Sequence, residues 1–384
     1  MDVKDIISLT STCTTFHKLQ DDREITCNCL WKNLLFRDFP FYNENSIFCK
    51  YLDECNATMS KKFLIVSAKQ KYNQVLYAKR IQSFIEKYNK QYNVKYVTLN
   101  LSSIKIDYFP KEICYLSKLE VLELSNNSLT FLPKEIGLLE NIKEFNLVKN
   151  RLKSLPKEIG NCINLKELYL GYNDLTHAAF PIEIKSCFNL GIVYLNNNSI
   201  NDSNFPKEIL KCPNLEILNL CGNHLESLPE EIEECQNLIL LRVNENRLSS
   251  LPESIGKCSN LKYLYLNDNE LTSLPKSIGN CSKLETLHIN SNKLTSIPKS
   301  IKNCPNLESL HISNNKLASL PKSIGNCSKL KFLSMSFNEM TSLPDSIGNC
   351  SNLDTLDLKH NKLTSLPKFL DNFPNLTDLK VDKL

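Results

Sequence analysis

Two residue types in this chain are suited to chemistry, and both recur at fixed steps. Sixteen cysteines occur in 384 residues. Nine of them, Cys162, Cys187, Cys212, Cys235, Cys258, Cys281, Cys304, Cys327 and Cys350, follow one another at 23 or 25 residues. Thiolates at regular steps suggest a metal ladder, but metal sites pair their cysteines closely, normally as C-x-x-C. Equivalent slots hold Leu116, Leu139 and Phe373, so the slot is apolar and the thiol is expected to fill it as a small hydrophobe. His288 and His311 share one outward column of adjacent units, and strands ~4.8 Å apart would bring their rings together. The flanking units place Tyr265 and Ser334 in that column, which leaves the pair without a third ligand. No metal or other cofactor is therefore assigned. There is no G-x-S-x-G, no phosphate-binding glycine loop and no H-E-x-x-H, so no catalytic residue is named and no enzyme is expected.

These spacings belong to a larger unit, seen in the string LETLHINSNKLTSIPKSIKNCPN that begins at Leu284. Equivalent units open at Val94, Leu119, Ile142, Leu165, Leu190, Leu215, Leu238, Leu261, Leu284, Leu307, Leu330, Leu353 and Leu376. The steps are 23 residues, except for 25 after Val94, Leu165 and Leu190. The first half, L-x-x-L-x-L, has the period of a strand with one buried face: Leu287 and Ile289 inward, Thr286, His288 and Asn290 outward. The second half carries proline, in a column from Pro110 to Pro367, which argues against a second strand and for a short helical turn. Asparagine stands eight residues after the opening position from Asn127 to Asn361, where a buried amide can satisfy backbone groups left unpaired at the turn. One such unit cannot bury its apolar side alone; stacked units form a solenoid with a continuous core.

The repeat closely resembles the leucine-rich repeat family, in its intracellular variety with L-P-x-x-I on the outer side. The resemblance implies an α/β solenoid, a curved horseshoe with a parallel sheet on its concave face, over residues 94–384, in twelve full repeats and a partial one. On that face the positions two, four and six after each opening residue vary in chemistry while the frame stays the same. They assemble Glu167, Tyr169, Ile192, Tyr194, Asn196, Ile217, Asn219, Leu240, Arg242, Asn244, Tyr263 and Tyr265 on successive strands. Aromatic, aliphatic and arginine side chains together are what protein interfaces enrich, so a protein target is expected there. The two longer units beside this patch carry their extra residues around His177–Phe180 and Asp202–Phe205.

Residues 1–40 are different in kind. Ile6, Leu9, Cys13, Phe16 and Leu19 recur at helical spacing, and Trp31, Leu34, Leu35 and Phe36 follow. The string DIISLTSTCTTFHKL…LWKNLLFRDFP resembles the middle and end of an F-box, the short helical motif that docks on the Skp-type adaptor of cullin–RING ubiquitin ligases. The Leu-Pro pair and first amphipathic helix of that motif are absent. Residues 1–40 are thus expected to be a small all-α element, either an adaptor-binding motif or a cap on the solenoid. Residues 41–93 read as an irregular connection followed, from Phe63 to Tyr92, by one or two amphipathic helices.

A net charge of +4 with mixed signs gives no argument for nucleic acid or membrane as partner. The N-terminus lacks a signal-peptide core and no run reaches transmembrane length, which points to a reduced, cytoplasmic setting. Low glycine, abundant Lys, Asn and Ile, and near-identical repeats are similar to repeat proteins of large amoeba-infecting viruses, which would place it in a host cytoplasm. Two function classes follow: a substrate-recognition subunit of a cullin–RING ligase, or a non-ligase scaffold or signalling regulator.

Overall fold

The computed structural model describes residues 63–65, 98–109, 111–176, 180–367, 370 and 373–382. The chain divides into two units, residues 1–67 and 68–384. In the first, the described segment is strand β1 (Phe63–Ile65). The expected helical stretch included these residues; a run of aromatic, aliphatic and β-branched side chains suits a pleated strand better. The adaptor-binding candidates Ile6, Leu9, Cys13, Phe16, Leu19, Trp31 and Leu34 lie outside the described residues, as does the rest of the segment before Thr98.

The second unit is built on short parallel strands, one per repeat. They are β2 (Thr98–Asn100), β3 (Val121–Glu123), β4 (Glu144–Asn146), β5 (Glu167–Tyr169), β6 (Ile192–Tyr194) and β7 (Ile217–Asn219). They continue as β8 (Leu240–Arg242), β9 (Tyr263–Tyr265), β10 (Thr286–His288), β11 (Ser309–His311), β12 (Phe332–Ser334), β13 (Thr355–Asp357) and β14 (Asp378–Lys380). Each pairs with its neighbours in chain order, without crossovers. Three residues make a strand too short to stand alone, so the register must come from what lies between the strands.

Three columns supply it. The central strand residue and the second leucine behind it are fully buried, as at Leu287 and Ile289. Each such side chain contributes roughly 1.5–3 kcal/mol of burial. The proline column precedes a 3₁₀ turn, for example Pro298 at φ −66° before Lys299–Asn303, with Ile301 buried. Proline fits there because its fixed φ suits the entry and its missing N–H is not needed. These turns end when the next N–H, of leucine at Leu116 and Leu139 and of cysteine from Cys162 to Cys350, closes on the isoleucine carbonyl, as Cys304 does on Ile301. The asparagine column forms the third ladder. Asn292 Oδ1 accepts from the Leu271 N–H at 2.9 Å, and its Nδ2 donates to the carbonyls of Leu266 at 2.9 Å and Ile289 at 3.3 Å. One amide thus joins two repeats through their backbones, as expected from the sequence.

The structure also shows ladders the sequence reading passed over. Asparagine just before the opening residue donates to the preceding repeat, from Asn141 to the Ser117 carbonyl at 2.7 Å through Asn352 to Ser328 at 2.8 Å. The residue before the buried asparagine has positive φ in repeat after repeat, and only Gly222 (φ 65°) fills that slot with glycine; Glu245 and Ser291 hold it at φ 55°.

The register corrects one boundary. Thr98 pairs with Val121 and Leu99 with Leu122, so the first repeat opens at Tyr96 rather than Val94 and is 23 residues long like most others. The stretch VKYVTLNL keeps one alternation through Val97, Leu99 and Leu101, so the frame can slide by two residues, and the pairing of Leu99 with Leu122 and the burial of Leu101 set it. Of the two longer units, residues 177–179 lie outside the description. The other insertion forms a 3₁₀ turn, Asp202–Asn204, capped by Asn201, and the Asp202 carboxylate accepts from the N–H groups of Glu226 and Ser227.

Candidate functional site

The open face of the sheet presents two rows of side chains, the first and third residues of each strand. Pairing sets Glu167 beside Ile192, Ile217, Leu240 and Tyr263 in turn, and Tyr169 beside Tyr194, Asn219, Arg242 and Tyr265. Because each side chain stands on a three-residue strand locked by the ladders beneath it, its position is set by the frame. Arg242 is exposed; Glu167, Tyr169, Ile192, Tyr194, Ile217, Leu240, Tyr263 and Tyr265 are half-buried against their neighbours.

The aromatic members touch. Tyr169 and Tyr194 meet edge to face with centroids 5.2 Å apart. Arg242 lies over Tyr265 at 4.8 Å, Tyr265 meets the His288 ring at 4.9 Å, and His288 meets His311 at 4.2 Å. A guanidinium on an aromatic face and edge-to-face rings both hold rigid geometry at little entropic cost. Hydroxyls are anchored as well: Tyr169 donates to Glu167, and Tyr263 donates to Glu285 at 2.9 Å. The result is a preorganised patch spanning β5 to β10.

Three of the expected contact residues have different work. Asn219 is only 7% exposed and accepts from the Cys221 N–H at 3.1 Å, so it braces the backbone and is not offered to a partner. Its short side chain is sunk between the larger Tyr194 and Arg242 on either side. Asn244 donates to the Cys221 thiol at 2.9 Å. Asn196 fills the space above Gly171, where a Cβ would come within 2.6 Å of its Oδ1. Asn196 and Asn244 remain half-buried at the margin of the patch.

The two chemical candidates of the sequence are the histidine pair and the cysteine column. The His288 and His311 rings do touch, but no group of three or more His, Cys, Asp or Glu side chains able to hold a metal occurs among the described residues. Burial, and then His311, pull the His288 pKa down to about 4, and burial lowers His311 too, so both rings are neutral near pH 7. The nine ladder cysteines are free and buried, each thiol directed at an outer-turn carbonyl of the preceding repeat, as Cys281 is at Ile255 (3.5 Å). Burial pushes the thiols up, to about 12 at Cys281 and about 11 at Cys304, so thiolate is scarce at neutral pH and these groups act as packing. No helix among the described residues is long and apolar enough to cross a membrane.

Comparison with known proteins follows the same repeats. Family profiles described as leucine-rich repeat region match residues 252–334, and profiles described as leucine rich repeat match 118–139, 213–271, 329–350 and 352–373. No curated protein sequence matches the chain significantly. Among solved structures, a leucine-rich repeat protein of Leptospira interrogans is 33% identical over 74% of this chain and 85% of its own, with a TM-score of 0.51. The plant peptide hormone receptor RGFR1 in complex with RGF2 is 26% identical over 84% of this chain, with a TM-score of 0.57. The ectodomain of the receptor kinase GASSHO1/SCHENGEN3 from Arabidopsis thaliana, in complex with CASPARIAN STRIP INTEGRITY FACTOR 2, is 31% identical over 74% of this chain, with a TM-score of 0.51. The present chain spans 57% and 41% of those two receptor chains. Period, ladders, profiles and structural likeness agree: this chain belongs to the leucine-rich repeat proteins.

Proposed function

We propose that the chain is a protein-recognition module without catalytic chemistry of its own, which binds a partner protein on the open sheet face between β5 and β9. The observation that carries this reading is the patch itself. Aromatic, aliphatic and arginine side chains stand in register on five adjacent strands, half-buried and mutually braced. Such side chains carry most of the energy in protein interfaces, and prior bracing lowers the entropy lost on binding. The solved plant receptors with bound partners support the same use of the fold.

The finer reading is a substrate-recognition subunit of a cullin–RING ubiquitin ligase in the cytoplasm. It rests on the F-box-like string of residues 1–40: Leu9, Phe16, Trp31 and Leu34 would hold the Skp-type adaptor while the sheet selects the target. The test is a pull-down of the full chain with that adaptor beside a Phe16→Ala, Trp31→Ala variant. Binding that is lost in the variant supports the ligase role. Failure of the folded wild type to bind removes the ligase role and leaves a scaffold or signalling regulator that recognises proteins through the same face.

A further inference from the structure

The open face is graded in charge along the strand order, and that grading describes the segment it accepts. At one end Glu123 on β3, Glu144 on β4 and Glu167 on β5 stand half-buried on neighbouring strands. Burial first, then the adjacent carboxylate, raises the pKa of Glu123 and Glu144, and a hydrogen bond with the Asn146 side chain offsets part of this at Glu123. None of the three forms an ion pair among the described residues; the adjacent Lys143 ammonium is taken by Glu120 at 2.9 Å. Glu123 stands in the adjacent row, beside Asn146, while Glu144 and Glu167 begin the row that the next three strands continue with Ile192, Ile217 and Leu240.

A partner covering these aliphatic side chains also dries the glutamates beside them. Burying unpaired carboxylates is costly, so an apolar or acidic segment would lose there what it gained over the aliphatic strip, whereas a lysine or arginine removes the penalty. From β3 to β8 there are five interstrand steps, about 24 Å at ~4.8 Å each, which is the reach of about seven extended residues at ~3.4 Å per residue.

We propose that this face binds an extended segment of a partner protein that crosses the strands from β3 to β8, with lysine or arginine over Glu123, Glu144 and Glu167 and apolar side chains over Ile192, Ile217 and Leu240. The inference rests on the protein-recognition reading above and adds the partner's chemistry and direction. Nucleic acid and acidic segments are disfavoured by the same glutamates.

The experiment is selection of a random nonapeptide display library on the full chain, followed by fluorescence anisotropy of the enriched peptides. The expected result is a basic cluster at one end of an apolar run, with affinity that falls as salt rises. A Glu144→Gln, Glu167→Gln variant should bind the best peptide at least tenfold more weakly and with a flatter salt dependence. An Ile217→Asp variant should not bind it, with Ile217→Ser as the milder substitution if thermal melting shows that Ile217→Asp unfolds. Peptides without basic residues, insensitive to the glutamine variant yet lost with Ile217→Asp, overturn this inference and leave the recognition reading standing. Peptides indifferent to Ile217, or no enrichment at all, overturn both.

Discussion

The repeats of β5 to β9 and those of β10 to β13 share a frame and differ in what they show to solvent. In the earlier group the open face carries Glu167, Tyr169, Ile192, Tyr194, Leu240, Arg242 and Tyr263; in the later group the first row turns to Thr286, Ser309 and Thr355, with the exposed Phe332 as the exception. The outer turns change at a different place. Before the buried isoleucine the turns carry glutamate from Glu135 to Glu231 and serine from Ser254 to Ser346, so that change falls within the earlier group, between the repeats of β7 and β8. Underneath, nothing changes. Asn173 accepts from Leu152 at 2.9 Å and donates to Leu147 at 2.9 Å; Asn315 accepts from Leu294 and donates to Ile289 at the same two distances. The exposed Lys–Glu pairs between repeats, such as Lys207–Glu231 and Lys331–Glu308, occur in both groups, and pairs of this kind contribute only about 0–1 kcal/mol each. The stacking energy therefore lies in inward columns, which leaves the outward rows free to take up binding chemistry in one group and remain small and polar in the other.

The strongest way to break this comparison is to remove one ladder amide from each group. Asn173→Ala and Asn315→Ala should each cost about 3 kcal/mol, because each strands backbone groups of two repeats in a dry interior. Urea unfolding measures both; a large difference between them would mean that the two groups are not one frame. The backbone column gives a smaller, signed test. Gly222→Ala should lose about 1–2 kcal/mol through its left-handed backbone. The added Cβ would also lie 2.7 Å from Asn197 Oδ1. Ser291→Gly, at φ 55° in the later group, should gain up to about 1 kcal/mol in the same assay.

The serine turns, which begin at the repeat of β8, test the outer side of the frame. The Ser300 hydroxyl is buried without a hydrogen-bond partner among the described residues. Ser300→Ala should therefore raise stability by about 0.5–1 kcal/mol, and a loss on this scale would show that the hydroxyl is satisfied in solution. The last test is in pH, and it belongs to the later group. Burial lowers the folded-state pKa of His288 to about 4, below the 6.5 of an unperturbed imidazole. The unfolded chain then binds the proton first, so His288 contributes stability above about pH 6.5 that is lost as pH falls toward 4. His288→Gln should flatten the unfolding midpoint across that window and leave it unchanged at pH 8. An equally steep acid limb in the variant would assign the loss to other groups.

How much was legible in the sequence depended on whether a residue's work was done within its own repeat. Inward leucines, the outer proline and isoleucine, and the buried asparagine stand at constant offsets, and the structure places each where its offset implies. The touching of His288 and His311 was also foreseen, since it needs only the period and the strand spacing. The opening at Tyr96 was misplaced by two residues because local alternation is degenerate there; the proline step from Pro110 to Pro133 carried the right answer. The second asparagine ladder was signalled by the recurring Asn before the opening leucine and was overlooked. The positive-φ column left a faint compositional trace in Gly222, Asn126, Asn197, Asp268 and Asn314, types that tolerate a left-handed backbone, diluted by Lys149, Tyr172, Glu245, Ser291 and Phe337 in the same slot.

By itself the sequence determined the period, the layering of each repeat and the identity of the outward rows, because a repeating chain states its own periodicity in one dimension. Tertiary structure alone decided how those rows work. Asn219 shares a row with Tyr194 and Arg242 yet sinks between them, Arg242 settles on Tyr265, and Glu144 stands beside Glu167 without a cation. Burial, stacking and uncompensated charge arise between side chains 23 or more residues apart in sequence, and they come into being only when the strands lie side by side.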